Sequence, residues 1–415
     1  MGSKLSTFIN SKYIKYKRKN NYEINFKQLS YFQIEGKKKS KSSINQDTIS
    51  NFSLNVDNVK ISYFAVYDGH GEKGKQASQY INEYIEDYIT SQSKNTLINW
   101  DSKEKIENIF SELFGKIQDA MTIEYNLYKS SGSCVLGVLI INIAVYFINL
   151  GDSRGVIGSK SNNNIYAIEM TEDHKPYVSA ELERIINSGG NVLKINEYNF
   201  IDNLTNSDEY NNANEVKELT GIPFRIFKKN ENFPGITISR SLGDIDAHDI
   251  GVIETPQISY KSIEEYDDFI VIGSDGLFDA LNSVEIVKFI YDKQKIITKE
   301  NIAKALVVEA KKRWEILNSF KLKLFSERYL EFDVNKNIDS DKKYNDINNK
   351  LNNKNYHNKN ANKNDVFKLN KDNNKDIFYE KLNDHKSITN KLDIENFKNN
   401  LTIDDISCLI YFISK

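Results

Sequence analysis

Two cysteines, four prolines and a net charge near zero in 415 residues already remove several chemistries. Cys134 and Cys408 both lie inside apolar runs, so there is no disulfide framework and no Cys/His cluster of the kind that holds zinc, and a reducing, intracellular compartment is expected. Charge of one sign is also missing. Lys and Arg total 56 against 58 Asp and Glu, a balance of −2 that argues against nucleic acid as a partner. Nor does any apolar run reach the roughly 20 residues of a membrane-spanning helix. The longest, Cys134 to Leu150, is interrupted by Asn142 and Asn149 and reads as a strand, a tight turn near Asn142 and a second strand. What is present, 39% apolar and 12% aromatic residues, suffices for a sizeable core.

The first residues read as an address. Met1-Gly2-Ser3-Lys4-Leu5-Ser6 matches the pattern for N-myristoylation at Gly2. Lys12, Lys15, Lys17, Arg18 and Lys19 follow, a basic cluster suited to an anionic leaflet, against the plainer reading of a solvated charge run. One acyl chain binds a membrane only marginally, so the two signals together predict reversible peripheral contact through residues 1–24.

Periodicity sets out the rest. Val59 to Tyr67 is a β-branched and aromatic run that ends at Asp68-Gly69-His70-Gly71, a buried strand entering a glycine-rich loop. From Gly74, the residues Ala77, Tyr80, Ile81, Tyr84, Ile85 and Tyr88 fall at helical spacing and form a core-facing stripe. Further helices are expected over Lys103 to Tyr128, Ala180 to Asn187, Ser283 to Tyr291 and Asn301 to Leu317, with a surface loop over Asn203 to Asn214. Phe269 to Gly273 reads as a strand that delivers Ser274-Asp275-Gly276. Residues 319–395 are dominated by Asn, Lys and Asp, a composition that predicts a disordered insertion. Ile406 to Ser414 then returns to an apolar strand pattern. One interrupted domain, 25–318 completed by 396–415, fits this order.

Three chemistries compete. Gly69 to Lys75 has the spacing of a phosphate-binding loop, but Gln76 stands where a hydroxyl must meet Mg²⁺, and Glu72 sets negative charge where phosphate would lie. Cysteine-based phosphoryl transfer needs an arginine six residues after the thiol, where Ile140 and Ser414 stand instead. The third starts from carboxylates. Asp47, Asp68, Asp152, Asp275, Asp279 and Asp404 all lie at ends of apolar strands or beside glycine turns, where an unpaired buried carboxylate would be costly. Such oxygens, without clustered His or Cys, suit Mg²⁺ or Mn²⁺.

The ordered set of motifs resembles the metal-dependent serine/threonine protein phosphatases of type 2C, the PPM family. It comprises Asn45-Gln46-Asp47, Asp68-Gly69-His70-Gly71, Gly132-Ser133-Cys134, Gly151-Asp152-Ser153-Arg154 and Thr171-Glu172-Asp173-His174-Lys175-Pro176. Glu183-Arg184-Ile185, the run from Pro234 to Asp244, Ser274 to Asp279 and Asp404-Asp405-Ile406-Ser407 complete it. The resemblance implies an α/β sandwich of two face-to-face antiparallel sheets flanked by helices, with the metal centre at one edge. It implies that Asp68 bridges two Mn²⁺ or Mg²⁺ ions, that the Gly69 carbonyl binds one, and that Asp275 and Asp404 complete the other. Asp47 and Gln46 would act through metal-bound water, and Asp152 and Asp279 would hold a third, weaker ion. A hydroxide shared by the two metals would attack phosphorus in phosphoserine or phosphothreonine without a phosphoenzyme, and His70 would protonate the departing oxygen. Residues 191–233 would form a flap beside the site, and a monomer acting on phosphoproteins is expected.

The chain departs from the family pattern at several positions. Gln46 stands where Glu is usual, Cys134 replaces threonine, and Asp405 stands where Asn is common. Ser42 occupies the place of the phosphate-binding arginine, which leaves Lys41 or Lys39 to meet the phosphate as point charges. A weakened clamp keeps a second reading open, a catalytically silent scaffold that binds phosphoproteins.

Overall fold

The computed structural model describes residues 29–36, 44–56, 59–92, 100, 102–162, 164–195, 200–204, 223–335 and 402–413. The N-terminal address with Gly2, the pair Lys39 and Lys41, and residues 336–395 of the expected insertion lie outside them. The chain divides into two compact units, Met1–Trp314 with Ile403–Lys415, and Glu315–Thr402.

Seventeen strands, in chain order, are described. They are β1 Leu29–Ile34, β2 Thr48–Val56, β3 Val59–Tyr67, β4 Gly69–His70, β5 Gly132–Ser133, β6 Val135–Ile141, β7 Ala144–Leu150, β8 Arg154–Ser161 and β9 Asn164–Glu169. There follow β10 Gly190–Ile195, β11 Phe200–Leu204, β12 Arg225–Lys228, β13 Pro234–Ile236, β14 Leu242–Gly243, β15 Gln257–Ser262, β16 Asp267–Gly273 and β17 Ile406–Phe412. Two five-stranded sheets carry the first unit, one ordered β1-β17-β16-β8-β9 and the other β15-β7-β6-β3-β2, and every pairing in them is antiparallel.

Side-chain alternation stacks the layers. Along β3, Ile61, Tyr63, Ala65 and Tyr67 face one cluster while Phe64 and Val66 face another. The second cluster also holds Ile157, Ile270, Ile272 and Leu409 from the other sheet, so it is the seam between the sheets. Both faces of the central strands are therefore buried, which is why they read as continuous apolar runs instead of alternating ones. Outside β3 lie helices α1 Gly74–Ser91 and α2 Lys103–Ile123, whose Ile81, Ile85, Phe110 and Phe114 join the first cluster. Outside β16 and β17, Ile286, Val287 and Ile290 pack with Ile302 and Leu306 on Phe269, Val271 and Ile410. Each such fully buried aliphatic side chain contributes about 1.5–3 kcal/mol. The result is the expected helix-sheet-sheet-helix sandwich.

Local signals mark the helix boundaries. The Ser102 side chain accepts from Lys105 N and starts α2, which stops at Glu124 (φ −92°, ψ 41°) before the short α3 Tyr125–Tyr128. The helix expected over Lys103 to Tyr128 is thus two. The remaining helices are α4 Ser179–Asn187, α5 Ile245–His248, α6 Asp275–Phe278, α7 Ser283–Lys293 and α8 Ile302–Asn335. A capping box between Asn282 and Glu285 opens α7. Helix α8 extends well beyond Leu317, into the segment expected to be irregular. Its sequence holds no Gly or Pro and is rich in Leu, Lys, Glu and Arg, good helix formers that an average over residues 319–395 conceals. In the second unit, Asn318 Nδ2 donates to Thr402 O at 3.0 Å.

Candidate active site

The carboxylates converge because strands from both sheets end together. Asp68 follows β3, Asp47 precedes β2, and Asp152 sits between β7 and β8. Asp275 opens α6 two residues after the end of β16, and Asp404 stands two residues before β17. Carboxylate oxygens of Asp68, Asp152 and Asp275 all lie within 4.8 Å of one another. Burial first, and then the charges of Asp47, Asp275, Asp404 and Asp152, push the Asp68 carboxyl well above its ordinary range. Asp275 is raised in the same way, by burial and then by Asp404, Asp152 and Asp279. Asp279, one turn after Asp275, is raised by burial.

Asp47 bears the same cost. Its side chain is buried, yet neither oxygen makes a hydrogen bond of normal geometry. Burial, followed by the charges of Asp405 and Asp404, raises it to about 7, and the Ser407 and Ser274 hydroxyls nearby offset part of that. Orphaned buried carboxylate oxygens facing other carboxylates are what a hard divalent cation satisfies, so the donor set fits Mg²⁺ or Mn²⁺.

Backbone contacts hold this constellation. Asn45 accepts from Asp47 N at 2.8 Å and donates to Ile34 O at 2.9 Å. Gln46 Nε2 donates to Gly71 O at 2.6 Å, and Ser78 Oγ donates to Gln46 O at 2.6 Å. Gly69 admits no side chain, because a Cβ would lie 2.3 Å from Gly74 O and 2.7 Å from Gln46 O. Lys75, the lysine of the broken phosphate-loop spacing, donates to Asp47 O at 2.7 Å and so braces the turn. Across the site, Gly151 N donates to His174 Nδ1 at 2.9 Å; burial pushes that imidazole down to about 4, where it is a neutral acceptor.

Three partnerships were not foreseen. Lys175, from the Thr171 to Pro176 motif, forms an ion pair with Asp152. Burial lowers the Lys175 ammonium, but Asp152, Asp275 and Asp173 more than reverse this; in Asp152 burial raises the carboxyl and Lys175 pulls it below the ordinary value. Cys134 Sγ donates to Asp152 Oδ1 at 3.3 Å. His70 Nε2 pairs with Asp244 Oδ2 at 2.5 Å, and Ser241 Oγ donates to the same oxygen at 2.7 Å. Burial would lower His70, yet the Asp244 charge and hydrogen bond raise it. A miniature sheet β4-β5-β14 makes this contact, since His70 lies opposite Gly132 and Gly132 opposite Gly243. A Cβ on Gly132 would meet Asp244 Oδ2 at 2.4 Å, so only glycine leaves room for the carboxylate. Asp244 was visible only as the polar residue ending the Pro234 to Asp244 run.

Among the described residues, no helix is long and apolar enough to cross a membrane.

The protein phosphatase 2C family profile matches residues 32–315. Probable protein phosphatase 2C 35 of Arabidopsis thaliana is 30% identical over 246 residues, 59% of this chain and 68% of that protein. Probable protein phosphatase 2C 65 of the same plant is 28% identical over 272 residues, 61% of this chain and 64% of that protein. Probable protein phosphatase 2C 14 of Oryza sativa subsp. japonica is 25% identical over 320 residues, 69% and 56% respectively. The chain therefore spans a little under two thirds of the length of the second and rather more than half of the third. Two solved structures share the fold. A serine-threonine phosphatase 2C from Toxoplasma gondii matches with a TM-score of 0.53 and 15% identity, over 93% of this chain and 94% of that one. A C. elegans sex determining protein matches at 0.52 and 17%, over 94% and 64%. Sequence, fold and the buried carboxylate cluster agree: the chain belongs to the protein phosphatase 2C family of metal-dependent serine/threonine protein phosphatases.

Proposed function

We propose that the chain hydrolyses phosphoserine and phosphothreonine in proteins at the carboxylate cluster, using two Mn²⁺ or Mg²⁺ ions. The observation that carries this reading is the meeting of Asp68, Asp152 and Asp275 beside the orphaned oxygens of Asp47. Asp68, the Gly69 carbonyl, Asp275 and Asp404 would hold the two ions, with Asp47 and Gln46 acting through water. Divalent cations bound there supply a lowered water pKa and positive charge opposite the phosphoryl oxygens.

The chain's own residues do the rest. Lys175 supplies a fixed positive charge at Asp152 and Asp279, the corner assigned to a weaker third ion. Its presence in contact with Asp152 limits how much negative charge that corner offers to a cation. Asp244 holds the Nε2 side of the His70 ring, and 30% of the His70 side chain is exposed, so the ring is reachable by substrate. His70 would hand a proton to the serine or threonine oxygen as the P–O bond breaks, with the bond's electron pair leaving on that oxygen. Lys39 and Lys41 remain the proposed phosphate contacts, and residues 191–233 the proposed flap.

The test is hydrolysis of a phosphothreonine peptide by the full chain with Mn²⁺, with EDTA, and with Asp275→Ala. Turnover with Mn²⁺ that EDTA and the substitution each abolish supports the reading. A folded protein inert across Mn²⁺ concentrations would favour the second reading, the scaffold. We also propose myristoylation at Gly2 with membrane contact through the basic cluster; Gly2→Ala should move the protein out of the membrane fraction, and unchanged fractionation would refute it.

A further inference from the structure

Gln46 and Asp405 depart from the family pattern in opposite senses, and the structure joins them. One lacks a charge where a carboxylate is usual, and the other carries one where an amide is common. Asp405 Oδ2 accepts from the backbone N–H of Gln46 at 2.9 Å, and Oδ1 accepts from Gly36 N at 2.8 Å. The residue is 2% exposed. Both carboxylate oxygens are thus taken by backbone donors, and these bonds are charge-assisted. An asparagine here would offer one acceptor only and would turn its NH₂ against the other N–H. Gln46 is dictated by its surroundings in the converse way. Its Nε2 donates to Gly71 O at 2.6 Å, where a glutamate would set a negative oxygen against a carbonyl. Each identity is fixed by its own backbone partner, and the pair as a whole carries one negative charge.

That charge acts on the cluster. Asp405 adjoins Asp404, and of the charges around Asp47 its effect is the largest. Asp47 in turn is the residue whose buried oxygens lack partners. We propose that Asp405 supplies to the divalent-cation centre the negative charge that Gln46 withholds, through space and without being a ligand. Asp405 is in this sense a positioning residue. It holds the Gln46-Asp47 turn against the cluster and sets the cluster's electrostatic attraction for cations.

The inference rests on the reading of the cluster as a divalent-cation site. It is tested by titrating the full chain with Mn²⁺ alone and following free Mn²⁺ by electron paramagnetic resonance, with thermal unfolding in EDTA measured in parallel. Asp405→Asn should weaken Mn²⁺ binding roughly tenfold or more, and Gln46→Glu should tighten it by a similar factor. The double variant should bind Mn²⁺ within about threefold of the wild type while unfolding at a lower temperature in EDTA, because charge is restored but the backbone bonds are not. A purely structural Asp405 would leave the double variant as weak as the single one, and that result would overturn the proposal. So would unchanged affinity in Gln46→Glu, a variant that keeps every Asp405 contact and so guards against misfolding of Asp405→Asn. A wild-type chain that binds no Mn²⁺ would overturn the cation-site reading and the proposal with it, whereas normal wild-type binding with insensitive variants overturns the proposal alone.

Discussion

Replacing Glu181 by Gln should cost about 3 kcal/mol at neutral pH, and the size follows from its partners. Glu181 lies on α4 with 3% of its side chain exposed. Its oxygens accept from Arg240 Nη2 at 2.6 Å, Arg184 Nη2 at 2.7 Å and Ser239 Oγ at 2.6 Å. The two arginines reach onward to Gly251 O, Ser239 O and Thr255 O, so one carboxylate ties α4 to the segment that leads into Asp244. Burial alone would push the Glu181 carboxyl up; the hydrogen bonds from Arg240, Arg184 and Ser239 more than reverse that and hold it at about 2 against an ordinary 4.5. A gap of roughly 2.5 units at 1.36 kcal/mol each gives about 3 kcal/mol, at the low end of the roughly 3–5 kcal/mol for breaking a buried ion pair. The sign follows from a depressed carboxylate: its stabilisation is complete above the unfolded value and is lost as pH falls through about 2. Urea unfolding of wild type and Glu181→Gln should therefore differ by about 3 kcal/mol at pH 7 and by roughly 2 kcal/mol at pH 3.5. A difference below about 1 kcal/mol at pH 7, or one that widens in acid, would refute the reasoning.

Mn²⁺ at a hundred times its dissociation constant should stabilise the fold by about 2.7 kcal/mol per site, seen as a rise in melting temperature that EDTA reverses; an unchanged melt would count against a cation site. Burial drives the thiols of Cys134 and Cys408 far above their usual range, so a thiol reagent should find neither in the native protein and both in denaturant. Rapid labelling of the folded chain would contradict that. Trp314 Nε1 donates to Gly276 O at 2.7 Å, next to Asp275, whereas Trp100 packs on Phe110 in the other core. Trp314→Phe should cost about 1–2 kcal/mol and remove any Mn²⁺-dependent change in tryptophan fluorescence, and a change that survives would show that it arises elsewhere.

The sandwich was legible because its strands are buried on both faces and end in carboxylates. Val59 to Tyr67 and the hairpin turning at Asn142, whose φ is 56°, stand as the residue pattern predicts. So does the convergence of Asp68, Asp152 and Asp275, since each stands just beyond the end of a strand that the layers bring to one edge. The partners of the site residues were harder to foresee. His70 and Asp244 lie 174 positions apart, and their contact depends on a six-residue sheet with too little apolar content to register as strands. Lys175 reads as a loop lysine until folding sets it on Asp152. Composition misplaced the end of α8 because an average over a long polar segment hides a shorter stretch of helix formers within it.

The position of β17 has a consequence for synthesis. It fills the slot between β1 and β16, yet it is translated after both, and Ser407 lies 133 positions beyond its partner Ser274. At about 5–20 residues per second a ribosome needs roughly 7–27 s to cover that distance. Through this interval β16 offers the growing chain an unpaired edge backed by Ile270 and Ile272, the kind of surface that recruits a chaperone or another nascent chain. Asp404 emerges only with the strand itself. The nascent protein therefore passes through this interval with its acidic cluster short of the Asp404 charge, which arrives in the same event that closes the sheet.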